Sequence, residues 1–347
     1  MNFFKFHSII QIIHSFALQN FKKMKLAVIG ATGMVGNVML EVLEERNFPY
    51  KELILAASPR SVGKKMICKG MEHTLVSIED AIKAKPDVAI FSAGGNTSKQ
   101  YAPLFAEVGT MVIDNSSAWR MDANVPLVVP EINFNAIQEN QKIIANPNCS
   151  TIQMVVALAD LHKKFELERL VISTYQSVTG TGVAAVQQMM DERADKEGEK
   201  VYPYKIDMNC LPHGGDFDET GYTTEETKLI NETRKIYNSP EIAITGTVVR
   251  VPVVGGHSMS VNATFKKDFS MEEIFEVLKN TDGVILQDNP SKNEYPMPLF
   301  AHHKDEVFVG RVRKDFSFPR SINLWIVADN LRKGAATNAI QIAERML

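Results

Sequence analysis

The chain has 347 residues, 45% of them apolar and 23% charged, with a net charge of −3. It is long enough for two domains with separate cores, and its composition is that of an ordinary globular protein. The near-neutral balance excludes the basic footprint of a nucleic-acid or anionic-membrane binder. Three scattered cysteines, Cys68, Cys149 and Cys210, exclude a disulfide framework and a zinc site, so we expect no metal and a reducing, cytoplasmic setting.

Residues 1–23 carry no acidic side chain, and their apolar segment is broken by Gln11, His14 and Ser15. The unbroken runs fall far short of the ~18 residues a membrane span needs, and no small-residue cleavage site follows. We read 1–23 as an extension outside the fold.

Leu26-Ala27-Val28-Ile29 is a short apolar run, as in a strand buried on both faces. The loop Gly30-Ala31-Thr32-Gly33-Met34-Val35-Gly36 follows, and Val35, Val38, Met39, Val42 and Leu43 then recur at helical spacing. Strand, glycine-rich turn and helix form the context of a dinucleotide fingerprint, in which glycines admit a pyrophosphate to a helix N-terminus. The spacing here is G-x-x-G-x-x-G. The next strand, Leu53–Ala56, ends without the carboxylate that holds the ribose hydroxyl of NAD; Ser58, Arg60 and Ser61 stand there instead. A guanidinium pairs with a 2′-phosphate, which argues for NADP.

Two further apolar runs, Val88–Phe91 and Met111–Ile113, lead into turns carrying Ser92 and Gly94, and Asn115 and Arg120. In a doubly wound sheet such turns, at the carboxyl ends of strands, face the cofactor. Arg120 reads equally as a surface charge or an anion anchor.

Asn146-Pro147-Asn148-Cys149-Ser150-Thr151-Ile152-Gln153 is the most specific stretch. Pro147 disfavours helix before it, Asn148 is a good N-cap, and Met154–Ala159 supplies an apolar helical run. A thiol on a first helical turn meets unpaired N–H groups and the positive end of the dipole, conditions that favour a thiolate and stabilise an oxyanion.

Arg169–Gln176 is strand-like and leads to a glycine-containing loop, 177–182, able to approach a nicotinamide closely. Residues 191–222 are polar and rich in turn formers, so irregular backbone is expected. Glu225 and Lys228 share a face of the helix that follows. Val248–Val253 is a strand carrying Arg250, and His257 lies among glycines before the alternating run 260–265. A late strand, 322–328, precedes Asn330 and a C-terminal helix, 338–347.

In order and spacing, GATGMVG (30–36), SAGG (92–95), DNSSAWR (114–120), NPNCSTIQ (146–153), STYQSVTGTG (173–182), EETK (225–228), VRVPVVGGHSMSV (249–261) and DNLRKGAATNAIQIAE (329–344) resemble aspartate-semialdehyde dehydrogenase across nearly all of 24–347. The resemblance implies an α/β fold: a Rossmann-type NADP-binding domain, 24–148, completed by the C-terminal helix 331–347, and an α+β catalytic and dimerisation domain, 149–330, of the glyceraldehyde-phosphate dehydrogenase-like kind. It implies a homodimer that uses NADPH to reduce L-aspartyl 4-phosphate to L-aspartate 4-semialdehyde with release of phosphate, in lysine, threonine, methionine and diaminopimelate biosynthesis.

By the same resemblance Cys149 is the nucleophile, His257 the acid/base residue and Gln176 the orienting amide. Arg250 holds the substrate carboxylate and Glu225 its amino group, while Arg120 and Lys228, with Asn148 nearby, anchor phosphate. Cofactor contacts fall to Gly30, Thr32, Gly33, Met34, Val35, Gly36, Ser58, Arg60, Ser61, Ser92, Gly94, Asn115, Gly180 and Asn330. An ordinary histidine pKa of ~6.5 would suit His257 for proton transfer. N-acetyl-glutamyl-phosphate reductase, which shares the fold, differs in having tyrosine soon after its cysteine, where this chain has Ser150-Thr151-Ile152.

Overall fold

The computed structural model describes residues 24–346; the extension read at 1–23 lies outside the described residues. The chain divides into two units. Residues 24–126, 137–146 and 339–346 form the first, and 127–136 with 147–338 form the second.

The first unit opens with β1 (Lys25–Ile29), α1 (Met34–Glu45) and β2 (Glu52–Ala56). A small hairpin, β3 (Lys65–Cys68) and β4 (Met71–Thr74), and α2 (Ile78–Lys83), capped by Ser77, precede β5 (Val88–Phe91). The helix α3 (Gly95–Glu107), β6 (Met111–Asp114) and β7 (Ile143–Ala145) complete it. The sheet is all parallel in the order β2-β1-β5-β6-β7. Leu26, Ala27, Val28 and Ile29 have no exposed surface, because crossover helices cover both faces of such a sheet and leave no alternation. The order reverses beside β1, so the turns after β1 and β5 flank the crevice where open parallel sheets take ligands. This is a Rossmann-type fold.

The second unit carries α4 (Pro130–Asn133), α5 (Cys149–Phe165), β8 (Leu167–Ser177), α6 (Val183–Arg193), α7 (Thr224–Tyr237), β9 (Ala243–Val251), β10 (His257–Phe265), α8 (Met271–Asn280), β11 (Val284–Leu286), α9 (Pro298–Ala301), β12 (Val307–Lys314) and β13 (Ser321–Ala328). Its mixed sheet runs β11-β12-β13-β10-β8-β9. In β8 the residues Leu170, Ile172, Thr174 and Gln176 are buried while Tyr175 is exposed, so the period of two turns Gln176 onto the buried face. Gln176 pairs in register with Arg250 of β9, which places these two candidate site residues at one end of adjacent strands.

Two local readings needed revision. The sequence suggested irregular backbone from 191, but α6 continues through Arg193. The irregular segment after it is held by that helix: Gln188 accepts the N–H groups of Val201 and Tyr202, and Glu192 those of Ile206 and Asp207. Side chains thereby satisfy backbone donors that no strand partner reaches. At the C-terminus a π-type turn, Arg332–Ala336, precedes α10 (Thr337–Arg345), and the boundary between the units falls inside α10, at Asn338/Ala339.

Candidate active site

In the first unit, Gly30 has φ +87°, and a Cβ there would lie 2.3 Å from the Ser92 carbonyl oxygen. Gly36 has ordinary helical φ, but a Cβ on it would lie 2.4 Å from the Gly30 carbonyl oxygen. The loop therefore closes on itself more tightly than any side chain permits, bringing backbone to within reach of a ligand. Gly33 is the N-cap of α1 and offers no side-chain cap, leaving the first-turn N–H groups around Thr32, Met34 and Val35 for an anion. At the end of β2, Ser58, Pro59 and Arg60 are exposed, with Ser61 closing a 3-10 turn and no carboxylate among them. Gly94, φ +83°, caps α3 just after Ser92. These residues fit a dinucleotide phosphate.

The DNSSAWR turn is built on Asp114, buried at the end of β6, which accepts from the Ser116 hydroxyl at 2.5 Å and from its N–H at 3.2 Å. Burial pushes the Asp114 carboxyl up despite those bonds and the nearby Arg120. Asn115 accepts from the Asn146 amide at 2.7 Å. Arg120, 7% exposed, donates through Nε to the Asn146 carbonyl and through Nη2 to that of Asn115, both at 2.9 Å.

In the second unit the other predicted residues gather around the start of α5. Asn148 is its N-cap: Oδ1 accepts from the N–H groups of Ser150 (2.9 Å) and Thr151 (3.4 Å). Cys149 is the first helical residue and is partly accessible. The Asn148 amide donates to Glu225 at 2.9 Å, and Lys228 closes an ion pair with the same carboxylate. Burial alone would push the Glu225 carboxyl up, but Lys228, Arg250 and the Asn148 amide outweigh it and hold it below the usual range.

Gln176, 1% exposed, donates to Ser150 Oγ at 2.9 Å, while its Oε1 is buried without a partner. His257 is wholly buried at the start of β10, and its Nδ1 accepts the Ser177 N–H at 3.0 Å. The proton of the neutral ring therefore sits on Nε2, which has no partner. Burial, and then the positive charge of Arg250, push the His257 pKa well below 6.5. The ordinary value assumed from sequence is thus corrected: in the free protein the ring is a neutral Nε2–H donor. Gly180 lies against this pair, since a Cβ on it would be 2.7 Å from Arg250 Nη1 and 3.0 Å from the His257 ring. Asn330 accepts from the Thr179 hydroxyl at 2.9 Å, tying its turn to the same loop.

Chain neighbours, hydrogen bonds, the close approach of Gly180 and the electrostatic interaction of Arg250 with Glu225 link Cys149, Ser150, Gln176, Ser177, His257, Gly180, Arg250, Glu225 and Asn148 in one circuit. Orphaned buried atoms are rare and costly, roughly 1–3 kcal/mol each, and two of them, on Gln176 and His257, belong to this circuit. Sequence reasoning missed Glu232, 1% exposed, whose carboxylate accepts the Asn148 N–H at 2.6 Å. The signal was available: 225, 228 and 232 share one face of α7 at i, i+3, i+7. Among the described residues there is no group of histidine, cysteine and carboxylate side chains able to hold a metal, and no helix long and apolar enough to cross a membrane.

Residues 25–140 match the family model "Semialdehyde dehydrogenase, NAD binding domain", and residues 158–333 match "Semialdehyde dehydrogenase, dimerisation domain". The chain is 53% identical to an aspartate-semialdehyde dehydrogenase of Aquifex aeolicus over 93% of its own length and 98% of that protein. It belongs to the aspartate-semialdehyde dehydrogenase family. Another member, from Bacillus subtilis, is 45% identical over 92% of this chain and 96% of its own. The crystal structure of Vibrio cholerae aspartate semialdehyde dehydrogenase II complexed with ASA superposes with a TM-score of 0.89 at 45% identity, covering 93% of this chain and 97% of that one. Membership in the aspartate-semialdehyde dehydrogenase family accounts for the two units together: an NAD-binding unit of Rossmann type and a second unit of the kind that carries dimerisation.

Proposed function

We propose that the protein is a cytoplasmic, NADP-dependent, phosphorylating aspartate-semialdehyde dehydrogenase. It reduces L-aspartyl 4-phosphate to L-aspartate 4-semialdehyde for lysine, threonine, methionine and diaminopimelate biosynthesis. The observation that carries this reading is the pair of buried, unpartnered atoms, His257 Nε2–H and Gln176 Oε1, in one circuit with a cysteine on the first turn of α5. The complex of the Vibrio cholerae relative with ASA supports it.

Cys149 attacks the acyl carbon as thiolate, forming a C–S bond; the bond to the phosphate oxygen breaks and phosphate leaves, giving a thioester. Arg120 and Lys228, with Asn148, hold the departing phosphate. Arg250 pairs with the substrate α-carboxylate and Glu225 with its amino group, the depressed carboxyl pKa keeping Glu225 anionic at neutral pH. NADPH, when bound, supplies the hydride that reduces the thioester carbon. His257 Nε2–H donates a hydrogen bond to the oxygen on which charge develops, and Gln176 orients the reacting group. A carboxylate on Arg250 cancels part of the charge that depresses the His257 pKa, so substrate brings the ring closer to proton transfer. Breaking the C–S bond of the resulting thiohemiacetal frees the aldehyde and regenerates Cys149.

The Arg60 turn, with no acidic residue beside it, supports NADP over NAD. A homodimer is supported by the dimerisation-domain match and by a groove of about 560 Å³ on the exposed sheet face, lined by Tyr175, Tyr295, Met297 and Trp325 among others.

The test is phosphate-dependent reduction of NADP with L-aspartate 4-semialdehyde, run beside Cys149→Ala. Activity that requires phosphate and is lost in the variant upholds the proposal. Binding of NADP with no turnover of this aldehyde overturns it.

A further inference from the structure

Gly334 lies in the π-type turn Arg332–Ala336, a backbone form that is rare and concentrates at functional sites. Its φ lies outside the left-handed region, so the backbone does not require glycine there. What requires it is space: a Cβ on Gly334 would lie 2.8 Å from the Cβ of Cys149 and 3.3 Å from its Cα.

The turn has little freedom to retreat. The Asp329 carbonyl accepts the Gly334 N–H at 3.2 Å, and one oxygen of the Asp329 carboxylate accepts the N–H groups of Leu331 (2.9 Å) and Arg332 (3.3 Å). Its other oxygen accepts the His303 N–H at 2.9 Å, anchoring the turn to a separate segment. Next to Gly334, the Lys333 ammonium is buried and bonded to Glu131 at 2.6 Å and Asn338 at 3.1 Å.

We propose that Gly334 is a positioning residue for Cys149: the clamped glycine backbone is the wall against which the cysteine Cβ rests, and it fixes the direction of the sulfur. The proposal rests on Cys149 being the nucleophile. It implies that the π-type turn is kept because it delivers a side-chain-free backbone to this point.

The experiment is a thermal-unfolding cycle of the full-length protein, Gly334→Ala, Cys149→Gly and the double variant, together with steady-state kinetics of Gly334→Ala and the iodoacetamide reaction rate of the Cys149 peptide, read by mass spectrometry. A methyl group at 334 should cost markedly less thermal stability when residue 149 has no Cβ, the non-additivity expected of touching groups. In Gly334→Ala, kcat should fall about 10- to 100-fold, the scale of a misplacement of order 1 Å, with KM within about twofold and a changed alkylation rate. Additive melting shifts, or an unchanged kcat and alkylation rate, overturn the proposal. So does failure of Gly334→Ala to fold in both backgrounds, because removing the 149 Cβ must then relieve nothing. Coupled melting and altered alkylation in a protein that does not turn over L-aspartate 4-semialdehyde would instead remove the assigned activity and leave the contact standing.

Discussion

The backbone N–H of Ser177 donates to Nδ1 of His257, and this one bond decides the tautomer of the neutral imidazole. Because Nδ1 is an acceptor, the only ring proton is on Nε2, facing the site without a partner. Protonating Nδ1 would break that bond in a fully buried place beside Arg250, and so the ring stays neutral.

Acid stability should report this. In the unfolded chain His257 takes up a proton below about pH 6.5, whereas in the folded protein it does not. The unfolded state then binds more protons, so stability falls as pH drops below that value. His257→Gln should flatten this loss by up to about 1.4 kcal/mol per pH unit. Urea unfolding at pH 7.5 and 5.5 measures it. His162, also depressed by burial, keeps part of the slope in the variant, and an unaltered slope would show that His257 is not the neutral buried group described.

Glu232 should matter although it projects from α7 rather than from α5. It holds the N–H of Asn148, the residue that caps the Cys149 helix. Glu232→Ala should lose roughly 1–3 kcal/mol by leaving a buried donor unpaired. Glu232→Gln keeps an acceptor oxygen and should recover the larger part of both stability and kcat. Equal damage in the two variants would point to the charge rather than to the hydrogen bond.

Cofactor choice is predicted to reside in the turn after β2. Arg60→Ala should raise KM for NADP roughly 10- to 100-fold, the worth of a charge-assisted hydrogen bond, and leave NAD kinetics nearly unchanged. Parallel titrations of both cofactors decide it. Equal effects on the two would remove Arg60 from 2′-phosphate recognition.

Gly36→Ala tests the closeness of the glycine loop independently of chemistry. The added methyl would stand 2.4 Å from the Gly30 carbonyl oxygen, against backbone that cannot rotate aside. We expect a destabilisation of about 1–3 kcal/mol and weaker binding of either dinucleotide. Calorimetric binding beside thermal melting separates the two effects, and a variant with normal stability and affinity would mean that the loop is more yielding than its geometry implies.

Much of this protein could be read along the chain because the relevant physics is short-ranged. The run Leu26–Ile29 announced a strand buried on both faces, and Pro147-Asn148 announced a helix start, because torsion limits and capping bonds act within a few residues. The hairpin at 65–74 and the helix 183–193 were not read. The first is exposed along much of its length; the second begins after Gly182 with no side-chain cap. The first lacks a buried apolar face over most of its length, and the second lacks the capping residue that marks a helix start in sequence.

By itself the sequence determined the kinds of chemistry present: a thiol on a helix's first turn, an imidazole among glycines, an arginine at a strand end, and a glycine loop before a helix. Only the tertiary structure decided their state. Lys228 lies three residues from Glu225 and Arg250 seven from His257, but the burial of His257, the bond from Ser177 to its ring, the Asn148 amide on Glu225, the Glu232 bond to Asn148 and the approach of Gly334 to Cys149 all join groups tens to hundreds of residues apart. Desolvation, electrostatic fields and van der Waals exclusion are set by which groups surround an atom in space, and the local sequence around that atom does not encode those neighbours.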